Sequence, residues 1–486
     1  MSLTSALRIA QNSLMNTGIQ TTVTSRNISE ASNPNYVRRD AVLVSAGGGA
    51  RVVNINRATS DDLLWDSLQA LSDSRAQSVV SNGANRLQRL VNGADNSTSA
   101  ATLLANFEDA LQLYGNDSSN TLLAESAVGY AKELSDGLNS SSLAIQEYRA
   151  ELDQNINSSV AELNNLLDQF KQVNDEIVKG TGSGLDVNDA LDQRDTLLKQ
   201  ISEYVSVAVV KRDNNDFVLY TDQGVTLFET VPREVTFQPL SSYSAGITGN
   251  TIRIDGVPVI GGIGADSNAT GTLEAMVQLR DTVTVDMQAQ LDEIARSMVT
   301  IFAETDTSGG GGPDLAGLFT YAGGPIIPLA GTIETGIAQT IGINPAYDPS
   351  VGGNPELLRD GGANGAAYVA NSTGEAGFAD QLIAYLDRMN APVATDPGAG
   401  ITGSYSVSEY SESSIGWLES LRSRASAAAD GKGALYERLQ SSLSSKTGVN
   451  MDEEMAILVE LEQSYQASAR IVQAIDEMMQ VLLNAV

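Results

Sequence analysis

Protein chemistry is done by residues that can attack, move protons or hold metals, and in this chain the carboxylates stand almost alone. Its 486 residues contain no His and no Cys. That removes thiolate nucleophiles, every Ser-His or Cys-His arrangement, disulfides, and zinc sites built on those ligands. What remains is 60 Asp and Glu against 29 Lys and Arg. Pairs such as Glu108 with Asp109, or Asp452 with Glu453, are the residue types an extracellular glycosidase uses as acid and base. With so many acids such pairs arise by chance, and nothing in the sequence frames a pocket around them.

Other chemical signatures fail on spacing. Asp213, Asn214, Asn215 and Asp216, and the stretch from Asp186 to Asp192, resemble calcium loops. Neither has Gly at the sixth position or Glu at the twelfth, so both read as solvated turns. Gly261, Gly262 and Gly264 lack the third Gly of a dinucleotide fingerprint, and the run from Gly309 to Gly312 meets Pro313 where a phosphate loop needs Gly-Lys-Ser/Thr. We therefore expect no enzyme: no catalytic residue, no cofactor and no metal. A net charge of -31 repels phosphate backbones and anionic lipid, so neither nucleic acid nor membrane is an expected partner. Apolar runs such as Val207 to Val210 fall far short of the ~20 residues of a membrane span. The start, Met1, Ser2, Leu3, Thr4 and Ser5, lacks the cationic and apolar regions of a cleavable secretory signal.

The elements that would organise this chain lie at its two ends. In residues 448–486, Asn450 can accept from the free amides of a first helical turn, and Asp452, Glu453 and Glu454 suit its positive end. Met455, Leu458, Tyr465, Ala469, Val472, Met479, Leu483 and Val486 then follow steps of three and four. Ile457, Leu461, Ile471, Ile475, Met478 and Leu482 form a second line beside the first. Two adjacent seams make a broad apolar face on a helix about 54 Å long. Packing in its own bundle would cover it, and so would other copies or another protein. At the other end, Leu3, Leu7, Ala10, Leu14, Thr17, Thr21, Thr24 and Ile28 share one line of a helix weakened by β-branched residues and by Gly18, which costs about 1 kcal/mol relative to Ala. Asn33, Pro34, Asn35 and Tyr36 end it in a tight turn, with Asn35 suited to a left-handed conformation and Tyr36 able to pack back on the helices.

This order resembles the axial proteins of the bacterial flagellum: a terminal amphipathic helix, an Asn-Ile element at Asn27 and Ile28, an Asn-Pro-x-Tyr turn with a following Arg, and a closing helix opened by VNMDEE. The family turn usually reads Thr-Pro-Gly-Tyr, with Asn35 here at the Gly position. The stretch NDALDQRDTLL at 188–198 is similar to a signature of the hook-filament junction proteins within that family. By spacing alone, Leu191, Leu197, Leu198 and Ile201 are its core stripe, and Asp192, Arg194 and Asp195 are ion-pairing groups. The resemblance implies an extracellular flagellar subunit exported by the type III route. It also implies a ring of copies that contacts the hook protein and the second junction protein, and an export chaperone on the C-terminal helix. Flagellin or the other junction protein is the alternative within the family.

Between the ends, near-heptad spacing from Ala127 to Ile177 predicts a rod of about 75 Å, with Gly137 as a point of bending. The period changes to two over 205–269, which reads as an inserted β domain. Residues 306–375 are rich in Gly and Pro, and Phe319, Ile326, Ile327, Ile333, Ile341 and Ile343 suggest short strands there. The expected fold is mainly α with inserted β domains: an elongated multi-helix bundle built from both chain ends, its β-rich middle projecting outward. Residues 1–40 and 449–486 would be the axial helices, and residues 41–204, 270–305 and 376–448 the helical bundle. The expected assembly interface is Leu3, Leu7, Leu14, Ile28 and Tyr36 with Met455, Leu458, Leu461, Tyr465, Ile471, Val472, Ile475, Met479 and Leu482.

Overall fold

The computed structural model describes residues 3–46, 49–258 and 269–484. The glycine stretch at 261–264 and Val486 lie outside them. The chain opens with helix α1 (Leu3–Ser29) and a hairpin of β1 (Arg39–Ala46) and β2 (Gly49–Arg57). Helices α2 (Asp61–Asn92), α3 (Ala100–Asn116), α4 (Thr121–Gly182) and α5 (Asn188–Tyr204) follow. Two three-stranded antiparallel sheets come next, β3 (Val207–Lys211), β4 (Phe217–Thr221) and β5 (Thr226–Phe228), then β6 (Val235–Thr236), β7 (Arg253–Ile254) and β8 (Val257–Pro258).

The spine is α4. The side chain of Asn120 accepts from Leu122 N and caps its start. Its 62 residues reach about 93 Å, longer than the expected rod. Its apolar line, from Ala127 through Ile145 and Phe170 to Ile177, is buried against α3, α5 and the returning helices. Gly137 serves a close contact, because a Cβ there would run into Leu103 Cδ1 of α3.

The chain returns through α6 (Gly271–Gln278), a π-helical turn (Leu279–Val283) and α7 (Thr284–Ile301). In that turn the buried Arg280 pairs with Asp281 and Asp153, and it donates to the carbonyl of Asn250, tying the second sheet's loop to α4. Residues 306–375 hold mostly turns. Phe319 and Ile343 do pair, in β9 (Phe319–Thr320) and β10 (Gly342–Ile343), which flank α8 (Ile337–Thr340). Ile326 makes one isolated bridge to Leu315, and Ile327 and Ile333 lie in no strand. Buried carboxylates hold this region where ladders do not. Asp292 accepts from Gly336 N and Ala338 N, each at 2.9 Å, and Glu304 accepts from Tyr347 Oη, Ala363 N and Asn364 N. Helices α9 (Leu357–Asp360), α10 (Asp380–Asn390), α11 (Val407–Thr447) and α12 (Met451–Asn484) complete the chain. A reciprocal capping box of Ser406 and Glu409 starts α11, which runs back along α2. One hydrophobic core runs through the body from Leu68 to Leu421.

On α7, Asp286 is half-buried and makes no hydrogen bond or ion pair with any described residue; burial alone lifts its carboxyl to about 6. A folded pKa above the unfolded value of 3.8 means that the native state binds the proton more tightly. Stability is therefore lost as pH rises from about 4 to about 6. Asp286→Asn should be more stable than the wild type by about 1–3 kcal/mol at pH 7.5 and equal to it near pH 4, read by thermal unfolding at the two pH values.

Candidate assembly interface

The two chain ends form an antiparallel helical pair. Ser13 Oγ meets Ser468 Oγ at 2.8 Å, and Glu454 is buried near Asn27 at the other end, where the chain turns into the body. The α12 residues buried in this seam are Glu454, Leu461, Ser468 and Ile475, one per heptad, with Leu458 and Val472 half-buried beside them. On α1 the matching face is Leu3, Leu7, Ala10, Leu14, Thr17, Thr24 and Ile28, of which Leu3, Leu7, Leu14 and Ile28 are only half-buried. Small and polar side chains make much of the contact, so the seam is narrow. The cap expected at Asn450 is present: its Oδ1 accepts from Asp452 N and Glu453 N.

The rest of the expected interface is not brought together within one chain. Met455 is 49% exposed, Tyr465 51%, Ile471 51% and Leu482 55%, and Met479 is exposed as well. Geometry explains the last two. With Ser13 opposite Ser468, Leu3 lies opposite Met478, so Met479, Val481, Leu482 and Leu483 extend past the described end of α1. Met455, Tyr465 and Ile471 lie on flanks that a single partner helix does not reach.

The turn after α1 is fixed by Asn27. Its Oδ1 accepts from Tyr36 Oη at 2.8 Å and from Arg39 N at 3.1 Å, while its Nδ2 donates to the carbonyl of Arg39 at 2.9 Å. Tyr36 is buried as expected, with the Arg39 guanidinium 4.9 Å from its ring centre. Asn35 is not left-handed, contrary to expectation. Instead Asn33 Oδ1 accepts from Asn35 N, and this side-chain turn removes the need for positive φ. The hairpin lies on α1, where Asn16 pairs with the outer edge of β2 by donating to the carbonyl of Ala50 and accepting from Val52 N. These polar contacts were not read from the sequence; Asn16 interrupting an otherwise apolar face was the available signal.

The acidic residues of the 188–198 stretch hold this assembly to the body. Spaced by three, Asp189, Asp192 and Asp195 share one face of α5. Asp189 pairs with Arg26 at 2.6 Å and with Arg39; Asp192 pairs with Arg39 and Arg57, each at 3.0 Å; Asp195 pairs with Arg57. Asn188 Nδ2 adds a bond to the carbonyl of Ile55. Burial raises the Asp192 carboxyl, and the neighbouring arginines pull against that rise. Burial also lifts Asp189, but its hydrogen bonds from Arg26 and Arg39 outweigh this and hold it below the usual range. Arg194 turns the other way: its guanidinium lies 3.4 Å over the Phe217 ring and donates to Asn174 Oδ1, and burial lowers it to about 10. The motif is thus an ionic latch on one face and a core anchor on the other. A cavity of about 350 Å³ sits behind the latch, between the turn, α5 and the end of α11.

Comparisons with known proteins follow this geometry. Residues 84–318 match the helical domain of the flagellar hook-associated protein FlgK, and residues 440–485 match the C-terminal region shared by the basal-body rod proteins FlgE, FlgF and FlgG. The chain is similar to flagellar hook-associated protein 1. It is 26% identical to that protein from Salmonella typhimurium over 232 residues, 45% of this chain and 41% of the relative, so the match spans less than half of the curated protein. With the Bacillus subtilis protein it shares 22% over 422 residues, 82% of this chain and 78% of the relative. The fold is similar to that of FlgK from Burkholderia pseudomallei, with a TM-score of 0.56 at 13% identity, covering 79% of this chain and 99% of the other.

The latch is testable through the arginines it hides. Removing Asp192 leaves Arg39 and Arg57, whose side chains are 3% and 7% exposed, short of a buried partner, at a cost of about 3 kcal/mol. Asp192→Ala should therefore speed tryptic cleavage at residues 26–57 at least tenfold. Asp189→Ala, at a side chain 67% exposed, should change the rate by less than about fivefold.

Proposed function

We propose that this chain is a structural subunit of the hook-filament junction, forming a ring of copies in which the axial helices pack against one another. The hook protein lies on one side of that ring and the second junction protein on the other. The observation that carries this reading is the apolar surface of α12: Met455, Ile471, Met478, Val481, Leu482 and Leu483 all remain exposed on a helix that has already used one face on α1. A cluster of this kind marks an interaction surface. Its position at a chain terminus, braced through the latch to a long rigid body, suits subunits stacked along an axis. The same surface is what an export chaperone would shield before assembly, and the reading places the finished subunit outside the cell in the flagellum. The role is mechanical and requires no chemistry.

Expression of Ile471→Asp with Met478→Asp in a strain lacking the native gene tests this. Both side chains are about half exposed, so the purified variant should fold and melt as the wild type does. Electron microscopy should show hooks without filaments. Normal filaments would overturn the proposal.

A further inference from the structure

We propose that the cavity of about 350 Å³ behind the latch is a binding site for a carboxylate carried on an apolar body, with Lys199 as its charge partner and Trp65 as its wall. A cavity of this size can hold a small ligand, and such sites combine an apolar lining with a few placed polar groups. Leu64, Trp65 and Leu443 supply the apolar lining here, and Arg194 and Lys199 line the same space.

Charge selects the class of guest. Among the described residues four cations and four acids line the cavity, and the acids are already engaged. Asp192 and Asp195 both pair with Arg57, Asp61 pairs with Lys211 at 3.5 Å, and Glu30 accepts from Asn33 Nδ2. Lys199 is half-buried on α5, yet it makes no hydrogen bond or ion pair with any described residue. Arg194 is 2% exposed, and its Nε has no hydrogen-bond acceptor among the described residues. Burial holds the Lys199 ammonium below its usual value, against the upward pull of Asp195. Such a cation has lost hydration without a replacement, and a carboxylate restores what was lost through a charge-assisted hydrogen bond. The same groups repel a cationic guest, and a neutral one leaves Lys199 unsatisfied.

The walls come from both sides of the joint. Residues 30–37 form the turn after α1 and residues 443–449 end α11 and lead into α12, whereas Leu64 and Trp65 open α2 and Lys199 sits on α5 in the body. A guest that touches both sides ties the axial pair to the body, and its binding energy adds to the stability of that joint. A free small carboxylate has this chemistry, and so does an Asp or Glu side chain of a neighbouring copy flanked by an apolar residue.

Trp65 and Trp417 are the tryptophans of the chain, so Trp417→Phe leaves Trp65 as the single fluorescent reporter. Benzoate added to this full-length subunit should change Trp65 emission saturably and slow tryptic cleavage at residues 26–57 by about threefold or more. Lys199→Met keeps the length of the stem and removes the charge. It should melt no lower than the parent and bind benzoate about tenfold more weakly or worse, while Lys199→Arg retains binding. Benzyl alcohol, the neutral analogue, should bind the parent as weakly as benzoate binds Lys199→Met. No saturable change with benzoate, or binding that Lys199→Met leaves intact, would overturn the proposal. Carbodiimide treatment of purified flagella separates the two sources. An amide joining Lys199 to an Asp or Glu of a second copy, suppressed by benzoate, identifies a side chain; Lys199 left unlinked while the free subunit binds benzoate identifies a free molecule. The titration uses the free subunit, so its failure leaves the junction reading standing.

Discussion

The constraint on which this molecule turns is that α12 carries more apolar surface than α1 can cover. One antiparallel helix buries one seam. The seam that α1 offers is lined by Ala10, Thr17, Thr24 and Asn27, residues that pack closely but cover little. The large side chains of α12 are left on its flanks and beyond the described end of α1. A monomer organised this way holds a modest internal contact and an unspent hydrophobic driving force, which neighbouring molecules can supply with a partner.

Such a surface is useful only if it is held at a defined angle, and the rest of the fold meets that need. Asn27 binds the turn by three hydrogen bonds, Asn16 docks the hairpin on α1, and the carboxylates of α5 clamp three arginines drawn from α1, β1 and β2. Behind them α4 provides a spine of about 93 Å, and the polar groups of α7 hold the strand-poor region in place. The ion pairs run from the exposed Arg26 and Asp189 to the buried Arg39 and Arg57 on one face of α5, while Arg194 sinks the same helix into the core.

Much of this was legible in the sequence. Heptad spacing located α4 and α12, the change to a period of two located the sheets, and the acidic opening of α12 located its start. The sequence also showed two seams on α12 without showing that α1 sits on the border between them, burying Leu461 and Ile475 of one and half-burying Leu458 and Val472 of the other. That depends on register, and register is set by Ser13, Ser468, Asn27 and Glu454, polar residues that a hydrophobic pattern does not weigh. The left-handed turn expected at Asn35 is replaced by a bond from Asn35 N to Asn33 Oδ1, because a side-chain oxygen two residues back does the same work. Strands expected at Ile327 and Ile333 are absent, and at the second of these the backbone bonds a side chain in place of a ladder, Ile333 N donating to Asp396 Oδ2.

The most direct measurement is amide hydrogen exchange along α12 in the free subunit and in purified hook-filament junctions. The account predicts that residues 455–484 exchange far faster than α4 in the dilute monomer and become protected at least a hundredfold on assembly. Strong protection already present in the monomer, or none gained in the assembled flagellum, would contradict it.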